Sequence, residues 1–122
     1  MHAIRQYEFG PAATLRYETV DDPVPDAGQV RIAVAASGVH LIDTTIREGE
    51  QMGPCPLPEL PMTPGREVAG VVDQIGPDVY EAWLGTRVVA HLGPACGGYA
   101  EVAVRAEPNG AFGAHCGPNA PF

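Results

Sequence analysis

The sequence predicts a mainly β domain, folded as a partly open barrel with one or two short helices. Three observations lead there. Apolar residues alternate, or run together, in short segments bounded by Gly and Pro. Only residues 41–48 switch to a helical period. The 122 residues also include 15 Gly and 13 Pro, enough turn formers for many short strands. Six or seven strands in such a pattern would expose many edges, and a partly open barrel closes most of them.

The elements follow in chain order. Ile4, Tyr7 and Phe9, then Leu15, Tyr17 and Val20, mark two segments over 2–9 and 14–20. Gly10-Pro11 between them predicts a first hairpin. Residues 21–28, with Pro23, Pro25 and Gly28, form a loop. Val30, Ile32 and Val34 alternate with Arg31, Ala33 and Ala35, so a strand should place its large apolar side chains on one face. Leu41, Ile42, Thr45 and Ile46 recur at helical spacing, and Gly49 suits the helix end. Residues 53–64 carry Pro54, Pro56, Pro58, Pro61 and Pro64, which disfavour helix or central strand. They predict an ordered, irregular segment that walls something. Residues 68–76 read as a strand buried on both faces, and Thr86–Leu92 and Tyr99–Val104 as two more. From about Ala106 the pattern fails. The expected division is a β domain over 1–105 and an irregular tail over 106–122.

The net charge of −8, with seven basic against fifteen acidic residues, argues against a nucleic-acid partner, which needs a basic face. No apolar run suits a signal peptide or a membrane span, so no membrane partner is expected and a cytoplasmic location is. Cys55, Cys96 and Cys116 have no CxxC spacing and suggest neither a disulfide framework nor a structural zinc site.

Three blocks carry more information: Ser37-Gly38-Val39-His40-Leu41-Ile42-Asp43-Thr44-Thr45-Ile46-Arg47-Glu48-Gly49, Pro64-Gly65-Arg66-Glu67-Val68-Ala69-Gly70-Val71-Val72, and Gly97-Gly98-Tyr99-Ala100-Glu101. In this order they resemble the GroES-like N-terminal domain of the medium-chain dehydrogenase/reductase superfamily, in its quinone oxidoreductase branch. The resemblance runs over about residues 1–105. It implies a substrate-binding domain of an enzyme that passes hydride from NADPH (or NADH) to a quinone or enone-type acceptor. Zinc-dependent alcohol dehydrogenases of this superfamily carry Cys where this chain has His40 and His where it has Arg66. An arginine stays protonated and would repel a metal ion, so no zinc is expected.

By the same resemblance His40 lies beside the nicotinamide. It is the candidate proton or hydrogen-bond donor to a reduced acceptor, a role that suits a side chain titrating near neutrality. Asp43, Thr44 and Thr45 follow as candidate cofactor contacts. Other readings stay open: His40 as a helix-start residue, Asp43 as a turn brace or a partner of Arg47, and Glu67 as a structural acid, while Arg66 could approach the cofactor but is expected to face solvent. His91 and Cys96 are expected to be structural. Gly65, Gly70, Gly97 and Gly98 are expected to serve turns and close strand approach.

A complete relative would add a parallel α/β domain whose glycine-rich turn binds the pyrophosphate. No GxGxxG occurs here. Tight NADPH binding and hydride transfer by this chain alone are therefore not expected, and a truncated or frame-shifted reading frame is the simplest explanation. A cofactor-domain protein is a candidate partner. The alternatives are a stand-alone ligand- or partner-binding module and an inactive remnant.

Overall fold

The computed structural model describes residues 1–107. Its strands are β1 (His2–Gln6), β2 (Leu15–Thr19), β3 (Gln29–Gly38), β4 (Glu67–Ile75), β5 (Arg87–His91) and β6 (Val102–Ala106), and its one α-helix is α1 (Leu41–Arg47). Short 3₁₀ turns lie at Ala12–Thr14, Glu81–Trp83 and Gly93–Ala95. The four-stranded sheet has the order β5-β4-β3-β6, all neighbours antiparallel, and β1 and β2 form the separate hairpin that Gly10-Pro11 predicts.

Alternation organises β3 as expected. Val30 and Ile32 are buried and pack with Val68, Val72, Val79, Ala90, Leu92 and Ala103, with Val34 against their edge. The opposite face of β3 is wet, and there Arg31 holds Asp73 of β4 through Nε and Nη2 at 2.8 and 2.9 Å. The sheet therefore has one dry face, which corrects the expectation that β4 is buried on both. Val68 and Val72 are inside, whereas Val71 is 39% exposed because no layer of the described residues covers that side.

Gly70 shows how tightly the strands are set. A Cβ there would stand 2.0 Å from the Ala33 carbonyl oxygen of the neighbouring strand. Only a residue without a side chain allows β3 and β4 this approach.

The hairpin joins the sheet through isolated bridges, Ala3 with Ala100 and Gln6 with Met62. Ile4 N–H donates to Tyr99 O at 2.8 Å, and Val34 N–H to Glu101 O at 2.8 Å. The two sheets thus curl toward each other without closing, as a partly open barrel. The sixth strand lies later than expected, at Val102–Ala106, because Tyr99 leaves the ladder to pack inward and its N–H instead donates to Pro64 O. The chain stays tied to its neighbours just beyond β6. Glu107 N–H donates to Gly28 O, and Glu107 Oε1 accepts from Trp83 Nε1 at 2.9 Å. Residues 108–122 with Cys116, where an irregular tail is expected from the sequence, lie outside the described residues. Among the described residues no helix is long and apolar enough to cross a membrane.

Candidate active-site cleft

A seven-residue helix has too few internal hydrogen bonds to persist alone. Its surroundings hold α1 at both ends. At the start, the Asp43 carboxylate accepts from His40 N–H at 2.9 Å, and Asp43 N–H donates to His40 O. The acid in the first turn also faces the positive end of the helix. Asp43 is 6% exposed, and its Oδ2 also accepts from Tyr99 Oη–H at 3.0 Å. Burial, and then the hydrogen bond to Asp43 and its charge, push the Tyr99 phenol up to about 12.

At the other end, the last carbonyls meet donors. Arg47 O accepts from Gly10 N–H and from Gln6 Nε2, while Arg47 Nε donates to Gly10 O. Gly49 closes the helix at φ 84° with its Cα face against Phe9, as its position predicts.

In the structure Asp43 braces the turn and anchors Tyr99. It does not pair with Arg47, whose guanidinium reaches Glu48 Oε1 at 3.0 Å. The i,i+4 pair fails because Asp43 turns inward while Arg47 turns to the hairpin. Thr44 and Thr45 both place their hydroxyls on Leu41 O, at 2.7 and 3.3 Å.

His40 caps α1 with its imidazole half-exposed and its Nε2 3.1 Å from Glu67 Oε2 at the start of β4. Gly38 lies beneath this pair, and a Cβ there would come within 2.9 Å of His40 Nε2. Val39 and Leu41 on either side are 75% and 83% exposed, which gives the imidazole apolar, uncovered neighbours. The Glu67 contact was not foreseen. The two residues are far apart in sequence, and only the β3–β4 register, which sets Gly38 opposite Glu67, brings them together.

A cleft of about 230 Å³ opens beside α1. Ile42 and Ile46 form one wall, the proline-rich segment (Cys55, Pro56, Leu57, Pro58) another, and Arg66, Pro94 and Cys96 the third, with Met52 and Glu50 completing it. The prolines thus wall a cleft, as expected. His40, at the helix start, is not among the lining residues. Arg66 is, and this corrects the expectation that it faces solvent: the turn at Gly65, with φ 93° and the Tyr99 ring against its Cα, directs the chain inward there. Arg66 is half-buried, and its Nε is buried without a hydrogen-bond partner. Cys96 is buried at the same wall, and burial pushes its thiol up while the Arg66 charge pulls the other way. A thiol so raised is a poor nucleophile at neutral pH. His91, by contrast, accepts from Gly93 N–H through Nδ1, in the loop after β5. Among the described residues, no three His, Cys, Asp or Glu side chains gather in a way that could hold a metal ion.

Comparison with known proteins places this architecture. Residues 26–117 match the model of the alcohol dehydrogenase GroES-like domain. The quinone oxidoreductase of Mus musculus is 41% identical over 108 residues, covering 88% of this chain and 31% of its own length. Among solved structures, Escherichia coli quinone oxidoreductase complexed with NADPH superposes with a TM-score of 0.77 at 28% identity, over 92% of this chain and 33% of that one. The human synaptic vesicle membrane protein VAT-1 homolog-like protein gives a TM-score of 0.76 at 31% identity, over 87% of this chain and 33% of that one. The chain spans about a third of the length of the curated relatives it matches. On the strength of the family match and of the strand order, α1 and the Pro64-Gly65 turn described above, the chain belongs to the alcohol dehydrogenase GroES-like domain family, in the quinone oxidoreductase-like branch of the medium-chain dehydrogenase/reductase superfamily.

Proposed function

We propose that this domain supplies the acceptor-binding wall of an NADPH-dependent reduction of a quinone or enone, and that a cofactor-holding unit must join it for turnover. The cleft beside α1 carries this reading. Its apolar walls suit a planar conjugated ring, and such sites orient their ligand with only a few polar groups.

The described residues fit one part of the cofactor and not another. Half-exposed His40, flanked by Val39 and Leu41, offers a ring nitrogen within an apolar margin, which suits a nicotinamide. They contain no glycine-rich turn between a strand and a helix to receive a pyrophosphate. NADPH, when bound, supplies the hydride.

The chain's own residues do the rest. Ile42, Ile46, Leu57 and the prolines hold the acceptor ring and keep water from it, which fixes the reacting partners in one geometry. Two electrons and one proton arrive together as hydride, and the resulting monoanion needs one further proton. His40 provides it or hydrogen-bonds the group that does, and Glu67 orients the imidazole. Thr44 and Thr45 border the cofactor from the helix. Asp43 serves as a positioning residue, holding the helix start on Tyr99.

The test joins residues 1–107 to the cofactor-binding part of the Escherichia coli relative and follows NADPH consumption with a 1,4-quinone. The chimera should turn over, the 122-residue chain alone should not, and His40→Ala in the chimera should slow turnover about a hundredfold or more, the usual range for a general acid. A folded chimera without activity, or turnover by the chain alone, sinks the proposal. A second reading draws on one observation: the cleft is assembled within the described residues, so ligand capture needs no second unit. Saturable binding without turnover, in the chimera as well as the chain, would favour a binding module.

A further inference from the structure

Arg66 stands out because no ion pair or hydrogen bond among the described residues engages its side chain. Arg31, by contrast, holds Asp73 and Arg47 holds Glu48. Its neighbours in the cleft are chiefly Ile42, Ile46, Leu57, Pro94 and Cys96. A half-buried guanidinium with a desolvated, unpaired N–H against apolar walls lacks the hydrogen bonds it would make in water. A ligand oxygen would restore them.

The cleft also narrows the class of ligand. Glu50 lines the same cleft and brings a carboxylate to it, so a full anion gains less there than a neutral ligand. A neutral ring bearing a polarised carbonyl satisfies both demands, because its body matches the walls and its oxygen accepts from the guanidinium. We infer that Arg66 is the carbonyl-oxygen recognition residue of the cleft, selecting neutral conjugated carbonyl compounds over carboxylates of similar size.

This rests on the acceptor-cleft reading above and adds to it. The negative charge that hydride delivery places on the acceptor would gather on the oxygen that Arg66 holds, so the same contact would strengthen as the reaction proceeds. A position that could not accept a metal ion would thus take over the task of polarising a carbonyl.

The experiment uses the 122-residue chain and tetramethyl-1,4-benzoquinone, whose ring carbons are all substituted and so resist addition by Cys55 and Cys96. Titration is followed by NMR on the backbone amides of Ile42, Ile46 and Cys96 and on the Arg66 Nε–H, with benzoate as the carboxylate probe. The amides should shift saturably, the Arg66 Nε–H should shift with the same midpoint, and benzoate should bind at least fivefold more weakly. Arg66→Met should weaken quinone binding about tenfold or more, the range for a hydrogen bond from a charged donor, and Arg66→Lys should recover only part of it. The Nε–H measurement needs no variant and stands even if Arg66→Met fails to fold. Amides that saturate while the Arg66 Nε–H stays put, or an Arg66→Met chain that binds like the parent, overturn the role of Arg66 and leave the cleft reading intact. Tighter binding of benzoate overturns the ligand class. No saturation with the quinone overturns both the inference and the cleft reading beneath it.

Discussion

The sheet and the shell around α1 are held by different forces. Between β3, β4 and β6 the stabilising surface is apolar: Val30, Ile32, Val68, Val72 and Ala103 share one dry face. Around α1 nearly every tie is a directed hydrogen bond, from Tyr99 to Asp43, from Asp43 to the helix start, and from Gln6 and Gly10 to its end. Apolar burial is forgiving of direction and sums over area. Hydrogen bonds are worth less each and fail one at a time. The sheet should therefore behave as a scaffold, and the shell as a set of adjustable positions mounted on it, which is what a cleft with a helix for one wall requires.

Substitutions graded by expected effect can break that contrast. Gly70→Val should be the most damaging, since its first carbon would meet the Ala33 carbonyl 2.0 Å away. Loss of folded protein by circular dichroism is expected, and a cooperative melt near the parent's would refute the close approach. Ile32→Ala removes a side chain that is 1% exposed and should cost about 2–5 kcal/mol by denaturant titration. It should lower protection from hydrogen exchange throughout the molecule.

Tyr99→Phe should cost about 1 kcal/mol, and its exchange signature should be local, with α1 amides loosened and those of β3 unchanged. Equal loosening of both would mean that shell and sheet are one unit. The phenol also gives the shell a pH dependence. Its folded value of about 12 lies above the unfolded value of about 10, so the stabilisation it contributes is complete below pH 10 and is lost as pH rises through 12. Ultraviolet titration should show a tyrosine ionising near 12 that Tyr99→Phe removes. The smallest effect belongs to Arg31→Met on the wet face. Its pair with Asp73 is bidentate but solvent-accessible, worth about 0.5 kcal/mol and less at high salt.

The same contrast explains what the sequence made legible. Strand alternation writes burial directly into residue order, so Val30, Ile32 and the one-helix, many-strand pattern could be read without a structure. The cleft was legible only in outline. The prolines announced a wall and α1 announced a helix, yet the partners of His40 and Asp43 are Glu67 and Tyr99, brought close by strand register and by the turn at Gly65. No local period encodes such contacts. Arg66 is the instructive case: its type excluded a metal ligand, while its inward direction depended on a glycine φ and an aromatic ring some thirty residues on. A signal was present in the Pro64-Gly65 dipeptide, since a turn immediately before a charged residue can aim it either way. β4 misled for the opposite reason, because an apolar run looks the same whether one face or two are covered.

One consequence of the strand order concerns the sequence of events as the polypeptide is made. β3 pairs with β4 on one edge but waits for Val102–Ala106 on the other, and His2 and Ile4 near the start bond to Glu101 and Tyr99. A nascent chain that has emerged only through β5 still carries an open edge on its central strand and a hairpin that lacks its bonds to Tyr99 and Glu101. Contacts this distant along the chain fold slowly, and open edges invite pairing with other chains in the interval. The domain is thus indivisible in time as well as in space: its first strand completes its set of partners only when Tyr99 and Glu101 have been synthesised.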